Sequence, residues 1–145
     1  MLPKTILVPT DFSPNADQAL DYAVELAGKL DARIHVLNVI GMPMFGAEYG
    51  LAVTASMVDD VMRGNQEALD KLVAARAGKA AFGPARLEVG DVRTVIERVA
   101  SEIGAQLIVM GTHGRRGMKR VLLGSVAESV VRGASCPVLL VREPA

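Results

Sequence analysis

The sequence predicts an α/β fold: a doubly wound, five-stranded parallel sheet with helices on both faces, in three layers. Short apolar runs alternate with amphipathic helical patterns along the chain. Several of these runs are apolar at nearly every position, as strands buried on both faces are. Such an alternation predicts right-handed crossovers and a sheet covered on both sides. We expect one domain over residues 1–145, with strand order 3-2-1-4-5.

The first strand and helix are marked most clearly. The run KTILVP, Lys4 to Pro9, is rich in β-branched residues and delivers Thr10 and Asp11 to its end. Ser13 is then a suitable N-cap, because Pro14 follows at the first helical position. Apolar residues at three- and four-residue spacing continue this helix to Leu30.

The remaining elements follow the same logic. A second helix is predicted from Met57 to Gly78, with Gly64 bending or dividing it. A third begins after Asp91 as N-cap and ends at Gly104, and a fourth begins with a Ser125–Glu128 capping box and ends at Gly133. The other predicted strands are Arg33–Ile40, Arg86–Gly90, Gln106–Met110 and Pro137–Arg142.

Composition excludes several classes of protein. Sixteen basic and sixteen acidic residues cancel, which argues against a nucleic-acid binder that acts through bulk charge. The single cysteine, Cys136, excludes an internal disulfide and a cysteine metal framework, and is expected to be a packed small hydrophobe. No apolar run approaches a membrane span of about 20 residues. We therefore expect a soluble, cytoplasmic protein without nucleic-acid or membrane partners.

The stretch MGTHGRRGMKRVLLGS, Met110 to Ser125, combines two glycine turns with the start of a helix. Gly111 and Gly114 flank Thr112 and His113, and nine residues, beginning at Arg115, precede the Gly124-Ser125 turn. Glycine permits close backbone approach, and a helix N-terminus offers unpaired N–H groups to an anion. This order of elements predicts a phosphate site.

Asp11 is the natural companion of that stretch. In open parallel sheets, ligands bind at the carboxyl ends of the strands, where the winding reverses. The order 3-2-1-4-5 places Asp11 beside Gly111. Its carboxylate then ligates Mg²⁺ or accepts from a ribose hydroxyl, or it bonds local N–H groups and ends the strand.

Four other features keep two interpretations each. Four cations, from Arg115 to Arg120, form either a solvated loop or a phosphate funnel. His113 contacts phosphate or is structural. Asn38, a polar residue in the second strand, bonds backbone or serves a site, and the first is favoured. The loop from Gly41 to Ser56 is a lid or a surface excursion.

The sequence resembles the universal stress protein family over nearly its whole length. The resemblance rests on ILVPTDFS, HVLNVI, the VGD turn and LIVMGTHGRRGMKRVLLGSVAESVVRGASCPVLLVR. The last block matches the G-2x-G-9x-G-[S/T] pattern of the family's ATP-binding branch. The resemblance implies bound ATP with Mg²⁺ (or Mn²⁺), a homodimer and a role in stress survival.

Carried over by position, the resemblance implies a set of nucleotide contacts. Asp11 would lie near the ribose, the phosphates and the metal ion, and the backbone of Val39 would hold the adenine. The full set is Pro9, Thr10, Asp11, Val39, Met110, Gly111, His113, Gly114, Arg115, Gly124, Ser125 and Val126. The sequence departs from the family at Gln106, often acidic, and at Val92, often proline; both lie outside the proposed pocket.

The family commonly pairs subunits through its last strand, here Pro137 to Val141. An apolar edge strand would otherwise pair without control, so a symmetric dimer is physically sensible. The leading hypothesis is a nucleotide-dependent switch or a module that binds an unidentified protein partner. The alternative is a slow Mg²⁺-dependent ATPase or phosphoryl-transfer enzyme, for which the sequence shows no clear water-activating base.

Overall fold

The computed structural model describes residues 1–41, 54–113 and 123–144. The strands are β1 (Thr5–Thr10), β2 (Arg33–Gly41), β3 (Ala81–Phe82), β4 (Arg86–Gly90), β5 (Leu107–Gly111) and β6 (Val138–Val141). The helices are α1 (Pro14–Leu30), α2 (Ala55–Ala74), α3 (Val92–Ile103) and α4 (Ser125–Gly133). No helix in the described ranges is both long and apolar enough to cross a membrane.

All strand pairs are parallel, and the sheet runs in the order β3-β2-β1-β5-β6, with β4 also paired to β2. The predicted fold class is confirmed, but the predicted count of five strands is wrong. The added strand, β3, pairs only with Arg33 and Ile34 at the start of β2, and β4 pairs with β2 from Leu37 onward. A strand of two residues is too short to show a period, so its sequence carried no signal.

Helices cover both faces of the sheet. On one face α1 and α2 pack around a core that includes Ile6, Leu20, Ile34 and Leu69. On the other, α3 and α4 pack around a second core. Its buried members are Leu7, Leu37, Val95, Ile96, Val99, Ala100, Ile108, Met110, Ala127 and Val130. Successive residues of β1 point to opposite faces, so Ile6 and Leu7 belong to different cores.

Helix ends agree with the sequence at three places. The Ser13 hydroxyl accepts from the Ala16 N–H, and the Asp91 carboxylate accepts from the Thr94 N–H. Gly104 ends α3 with a φ of 64°, in the left-handed region that glycine adopts without strain. The bonds from the Thr94 hydroxyl and N–H lower the pKa of Asp91, because they stabilise the ionised carboxylate.

Two predicted helix boundaries are wrong. The second helix runs from Ala55 to Ala74, after Thr54 as N-cap, so it begins before the predicted Met57 and ends before the predicted Gly78. It has no break, so Gly64 does not divide it. The fourth helix has Gly124, not Ser125, as its N-cap, and no side chain caps it. Gly124 takes that place through tertiary structure, since its N–H donates to the Thr112 carbonyl at 2.6 Å.

Candidate functional site

Buried polar side chains are concentrated at the carboxyl end of the sheet. Within the described ranges they are Thr10, Ser13, Asn15, Asn38 and Thr112, each no more than 6% exposed. They belong to the end of β1, the second half of β2, the N-cap and first turn of α1, and the residue after β5. Because a buried polar group is costly unless it is bonded, such a concentration indicates a built polar site.

At this same end, β1 and β5 stop pairing. Their residue pairs are Ile6 with Leu107 and Leu7 with Ile108, and the ladder goes no further. By contrast, β1 stays paired with β2 as far as Thr10, and β5 stays paired with β6 as far as Gly111. The last three residues of β1 and of β5 are therefore not paired with each other. This is the point where the winding of the sheet reverses, where open parallel sheets have a ligand crevice, and we call this region the crevice.

The turn after β1 is fixed by its own side chains. The Thr10 hydroxyl accepts from the Phe12 N–H at 3.0 Å, and the Asp11 Oδ1 accepts from the Ser13 N–H at 2.9 Å. Phe12 has a φ of 65°, an uncommon conformation for a residue other than glycine. One oxygen of Asp11 thus serves the local bond that the sequence left open as an alternative.

The crevice also has a second wall, on β2. The Asn38 side-chain amide donates to the Thr10 carbonyl at 2.8 Å and accepts from the Asn65 amide of α2 at 3.1 Å. Asn38 was expected to bond backbone, and this is confirmed. Since β2 continues with β4 to Gly41 after β1 has ended, no strand of the described residues pairs with the β1-facing edge of Val39–Gly41.

Asn15 connects three elements at the other wall. Its Oδ1 accepts from the His113 N–H at 3.0 Å, and its Nδ2 donates to the Val141 carbonyl of β6 at 3.1 Å. The sequence around Asn15 shows only the pattern of a helix start, so it did not predict a role for this residue in the site. Its partners lie 98 and 126 residues away, so no local signal could have found them.

Asn15 also explains why Gly111 is glycine. A Cβ at Gly111 would lie 2.5 Å from Asn15 Oδ1. Space therefore excludes a side chain on Gly111. Glycine is therefore needed at position 111 for the packing of the protein itself. The sequence had predicted only that a ligand would approach this glycine closely.

The backbone donors just after β5 are already used. The Thr112 N–H donates to the Val141 carbonyl at 3.2 Å, and the His113 N–H donates to Asn15. His113 Nδ1 also lies 3.0 Å from the Thr112 hydroxyl. The first turn of α4 offers further backbone donors to an anion, since first-turn N–H groups have no partner within a helix.

The start of α4 is held next to this turn. The bond from the Gly124 N–H to the Thr112 carbonyl brings Ser125 and Val126 to the carboxyl end of β5. Both residues are exposed, Val126 at 36%. Helix α4 therefore presents its positive end to solvent beside the crevice.

The predicted site residues differ in where the structure places them. Pro9 and Thr10 end β1 and Asp11 follows it, and Val39 lies on the edge of β2 that β1 no longer pairs with. Met110 is 6% exposed and packs into the core between the sheet, α3 and α4. Gly114, Arg115 and the other cations up to Arg120 lie outside the described residues, as does most of the predicted loop, residues 42–53.

Asp17 of α1 lies close to two other acidic residues and one arginine, which influence its pKa. Burial raises the pKa of Asp17, as do the neighbouring charges of Asp21 and Asp11, whereas Arg76 opposes the shift. Its buried Oδ1 has no hydrogen-bond partner among the described residues, which fits an easily protonated carboxyl. Arg76 itself is bonded to Asp21 at 2.7 Å. In the described ranges, no group of three or more metal-ligating residues is assembled.

Cys136 lies away from this chemistry. It packs against the α3 and α4 core, and burial raises the pKa of its thiol. A raised pKa keeps the thiol protonated and a poor nucleophile. Its predicted place as a small packed hydrophobe is confirmed.

Comparison with known proteins gives one consistent result. Residues 3–142 match the Universal stress protein family. A universal stress protein of Methanocaldococcus jannaschii is 35% identical over 145 residues, which cover 97% of this chain and 83% of that protein. A putative universal stress protein of Staphylococcus haemolyticus is 36% identical over 145 residues, which cover 96% of this chain and 84% of that protein.

Solved structures agree. Hypothetical protein MJ0577, whose structure served to assign its biochemical function, has a TM-score of 0.86 at 26% identity, with 97% and 96% of the two chains covered. A universal stress family protein of Burkholderia pseudomallei has a TM-score of 0.74 at 38% identity, with 95% of each chain covered. A universal stress protein in complex with cAMP has a TM-score of 0.66 at 26% identity, with 98% of each chain covered.

Proposed function

Because the chain belongs to the universal stress protein family, we propose that it binds ATP in the crevice between β1 and β5 and acts in the cytoplasmic stress response. The observation that carries the proposal is the early end of the β1–β5 ladder beside the exposed N-terminus of α4. The cAMP complex of a relative 26% identical supports a nucleotide as the class of ligand. The G-2x-G-9x-G-S spacing favours ATP within that class.

In this proposal, the base lies on the β2 side. The unpaired edge of Val39–Gly41 offers backbone groups to adenine, and the Asn38–Asn65 pair holds that edge in place. Pro9 and Thr10 line the floor. Backbone groups can select a base as sharply as side chains do, because they are fixed by the sheet.

The phosphates lie on the α4 side. The first-turn N–H groups of α4, at Ser125 and Val126, supply donors and a partial positive charge. Gly111 and Gly124 keep the two turns close together, and the sequence motif adds Gly114, Arg115 and His113. Met110 contributes by shaping the floor beneath these turns.

A magnesium or manganese ion fits between the two sides. Mg²⁺ in nucleotide sites takes one or two carboxylates, keeps several waters and uses the phosphates as ligands. Asp11 is a carboxylate at the mouth of the crevice, with one oxygen bonded to the Ser13 N–H. It would hold the ion together with phosphate oxygens, and the ion would neutralise phosphate charge.

The test is nucleotide binding by purified protein. We expect mass spectrometry to detect ATP released on denaturation, and calorimetry to show Mg²⁺-dependent ATP binding to the emptied protein. Failure of both measurements would refute the proposal.

A matched pair of variants locates the site. Ser125→Asp places a carboxylate in the first turn of α4, where it stabilises the helix by about 0.3–1 kcal/mol. It also repels phosphate, so we expect ATP affinity to fall about tenfold or more. Ser56→Asp makes the same change in the first turn of α2, on the other face of the sheet, where no acidic residue stands. We expect it to leave ATP affinity unchanged; equal effects of the two variants would contradict the assignment.

We favour a switch or partner-binding module over an enzyme. The placement of Asp11 at the crevice nevertheless supports slow Mg²⁺-dependent ATP hydrolysis as a second candidate. Asp11→Asn keeps the acceptor for the Ser13 N–H and removes the charge. Phosphate release that disappears in this variant would favour hydrolysis, and release equal to background in the wild type would exclude it.

A homodimer through β6 completes the proposal. Within the described chain, β6 pairs only with β5, and its four apolar residues are partly exposed. Val131 of α4 is 47% exposed as well. A second copy would cover this edge. Sedimentation at micromolar concentration checks it, and a monomer there would count against the dimer.

A further inference from the structure

We propose that Asn15 is a positioning residue that couples the nucleotide-binding turn after β5 to the edge strand β6. This inference rests on the proposed function, because it concerns the regulation of the same crevice. Asn15 is 3% exposed and sits in the first turn of α1. It is one side chain in contact with both elements.

The bonds of Asn15 require an amide. Oδ1 faces an N–H, that of His113, and Nδ2 faces two oxygens, the Val141 carbonyl at 3.1 Å and Gln18 Oε1 at 3.3 Å. Only a group with both a donor and an acceptor satisfies this arrangement. Aspartate would keep the acceptor and lose the donor, and alanine would lose both.

Val141 is where the two elements meet. Its carbonyl accepts from Asn15 Nδ2 and from the Thr112 N–H at 3.2 Å, so one oxygen of β6 holds both a helix side chain and the strand-end turn. A shift of Thr112 or His113 on nucleotide binding is therefore transmitted to β6. Because coupling between two sites is reciprocal, a change on the β6 edge also changes nucleotide affinity.

The packing at Gly111 makes this coupling stiff. A Cβ there would meet Asn15 Oδ1 at 2.5 Å, so the amide lies against the backbone of the strand end without room to spare. Close packing of this kind transmits displacement and does not absorb it.

The experiment combines calorimetry with amide hydrogen exchange, with and without saturating ATP and Mg²⁺. In the wild type we expect ATP to slow exchange both in the turn, residues 111–113, and in β6. In Asn15→Ala we expect ATP to bind about tenfold more weakly, as the loss of a well-made buried polar contact implies. At saturation the turn should still respond to ATP and β6 should not.

Val99→Ala is the control for stability. Val99 is fully buried in the α3 and α4 core and makes no contact with the turn through polar groups. This variant should lose stability while keeping wild-type affinity and the wild-type response of β6. If Val99→Ala lost ATP affinity and the response of β6 as Asn15→Ala does, both losses would come from general destabilisation, and the proposal would be overturned.

Asn15→Asp covers the case in which the alanine variant fails to fold. A carboxylate is favourable in the first turn of a helix, and it keeps the acceptor for His113. We expect the His113 amide to stay protected while β6 loses its response to ATP. Equal responses of β6 in Asn15→Asp and wild type would overturn the coupling alone, whereas a wild type that binds no ATP would overturn both the coupling and the proposed function.

Discussion

At its amino-terminal end the sheet is hydrogen-bonded across β1 and β5, whereas at its carboxyl end the same two strands are not paired with each other. The Gln106 N–H donates to the Thr5 carbonyl at 2.9 Å, and the Lys4 N–H donates to the Gln106 side chain at 2.8 Å. The Arg33 N–H also donates to the Lys4 carbonyl at 2.8 Å. At the carboxyl end, bonds run from β1 to β2 and from β5 to β6, and the β1–β5 ladder has already ended at Leu7.

The difference shows how one sheet serves two purposes. Hydrogen bonds across the centre hold the amino end together, so polar side chains there are mostly at the surface. One example is Lys4, whose ammonium group donates to the Leu30 carbonyl at 2.7 Å in an exposed bond. At the carboxyl end, buried side-chain amides and hydroxyls hold the strand ends and the turns that follow them. The last residues of β1 and β5 are therefore held in place without hydrogen bonds between these two strands.

Gly111→Ala should produce the largest effect, because it forces an atom into the braced carboxyl end. The new Cβ would meet Asn15, whose buried side chain has little room to move. We expect a loss of about 2–3 kcal/mol in the free energy of unfolding, typical of overpacking, measured by urea titration. Gly64→Ala is the control. It lies within α2 with open space around it and should gain up to about 1 kcal/mol. A Gly111→Ala variant as stable as the wild type would show that this end is not braced as described.

Gln106→Leu tests the amino end and should have a smaller effect. It removes the acceptor of the Lys4 N–H, an exposed bond that water can replace, so we expect a loss of about 0.5–1 kcal/mol. Gln106→Glu keeps the acceptor and should be close to neutral. On the proposed function, ATP affinity should not change in either variant, since the proposed site is at the opposite end of the sheet. Weaker ATP binding in Gln106→Leu would contradict the conclusion that the two ends of the sheet act independently.

His35 gives the smallest effect, and it depends on pH. Burial lowers the pKa of its imidazole below 6.5, helped by the charges of Arg33 and Arg86. Because the unfolded chain then binds the proton more readily, the contribution of His35 to stability is full above about pH 6.5 and is lost as pH falls toward the lower folded pKa. The ring is partly exposed, so solvent screening limits the effect.

Thermal unfolding of His35→Gln at pH 7.5 and pH 5.5 checks this. The variant should lose less stability on acidification than the wild type does. The position is tight, since Gly83 lies directly against the ring, and glutamine is a smaller neutral replacement. A larger acid sensitivity in the variant would reverse the sign of the predicted effect.

Local sequence predicted what local chemistry determines. Ser13, Asp91 and Gly104 cap their helices as expected, because each acts within four residues of its own position. The predicted N-cap at Ser125 was wrong, because the capping-box pattern of Ser125 and Glu128 begins one residue after the actual N-cap, Gly124. Gly124 is held by Thr112, a contact that no pattern within the helix reveals.

The candidate site divides in the same way. Asp11 was found because it follows a clear strand, and the winding order predicts its position opposite Gly111. Asn15 was missed, because only the folded chain brings His113 and Val141 to it. Packing against Asn15 could not be foreseen at Gly111 either, where glycine suits a ligand and a neighbouring side chain equally well.

The short ladder between β1 and β5 has a consequence for how such a protein can change. The residues that keep the strands in register lie at one end, and those that would meet a ligand lie at the other, beyond the last shared rung. Substitutions around the crevice can therefore alter ligand choice while the register of the sheet stays fixed by distant bonds. On the proposed function, substitutions of these residues change which nucleotide is bound, and the hydrogen bonds that fix the register of the sheet stay as they are.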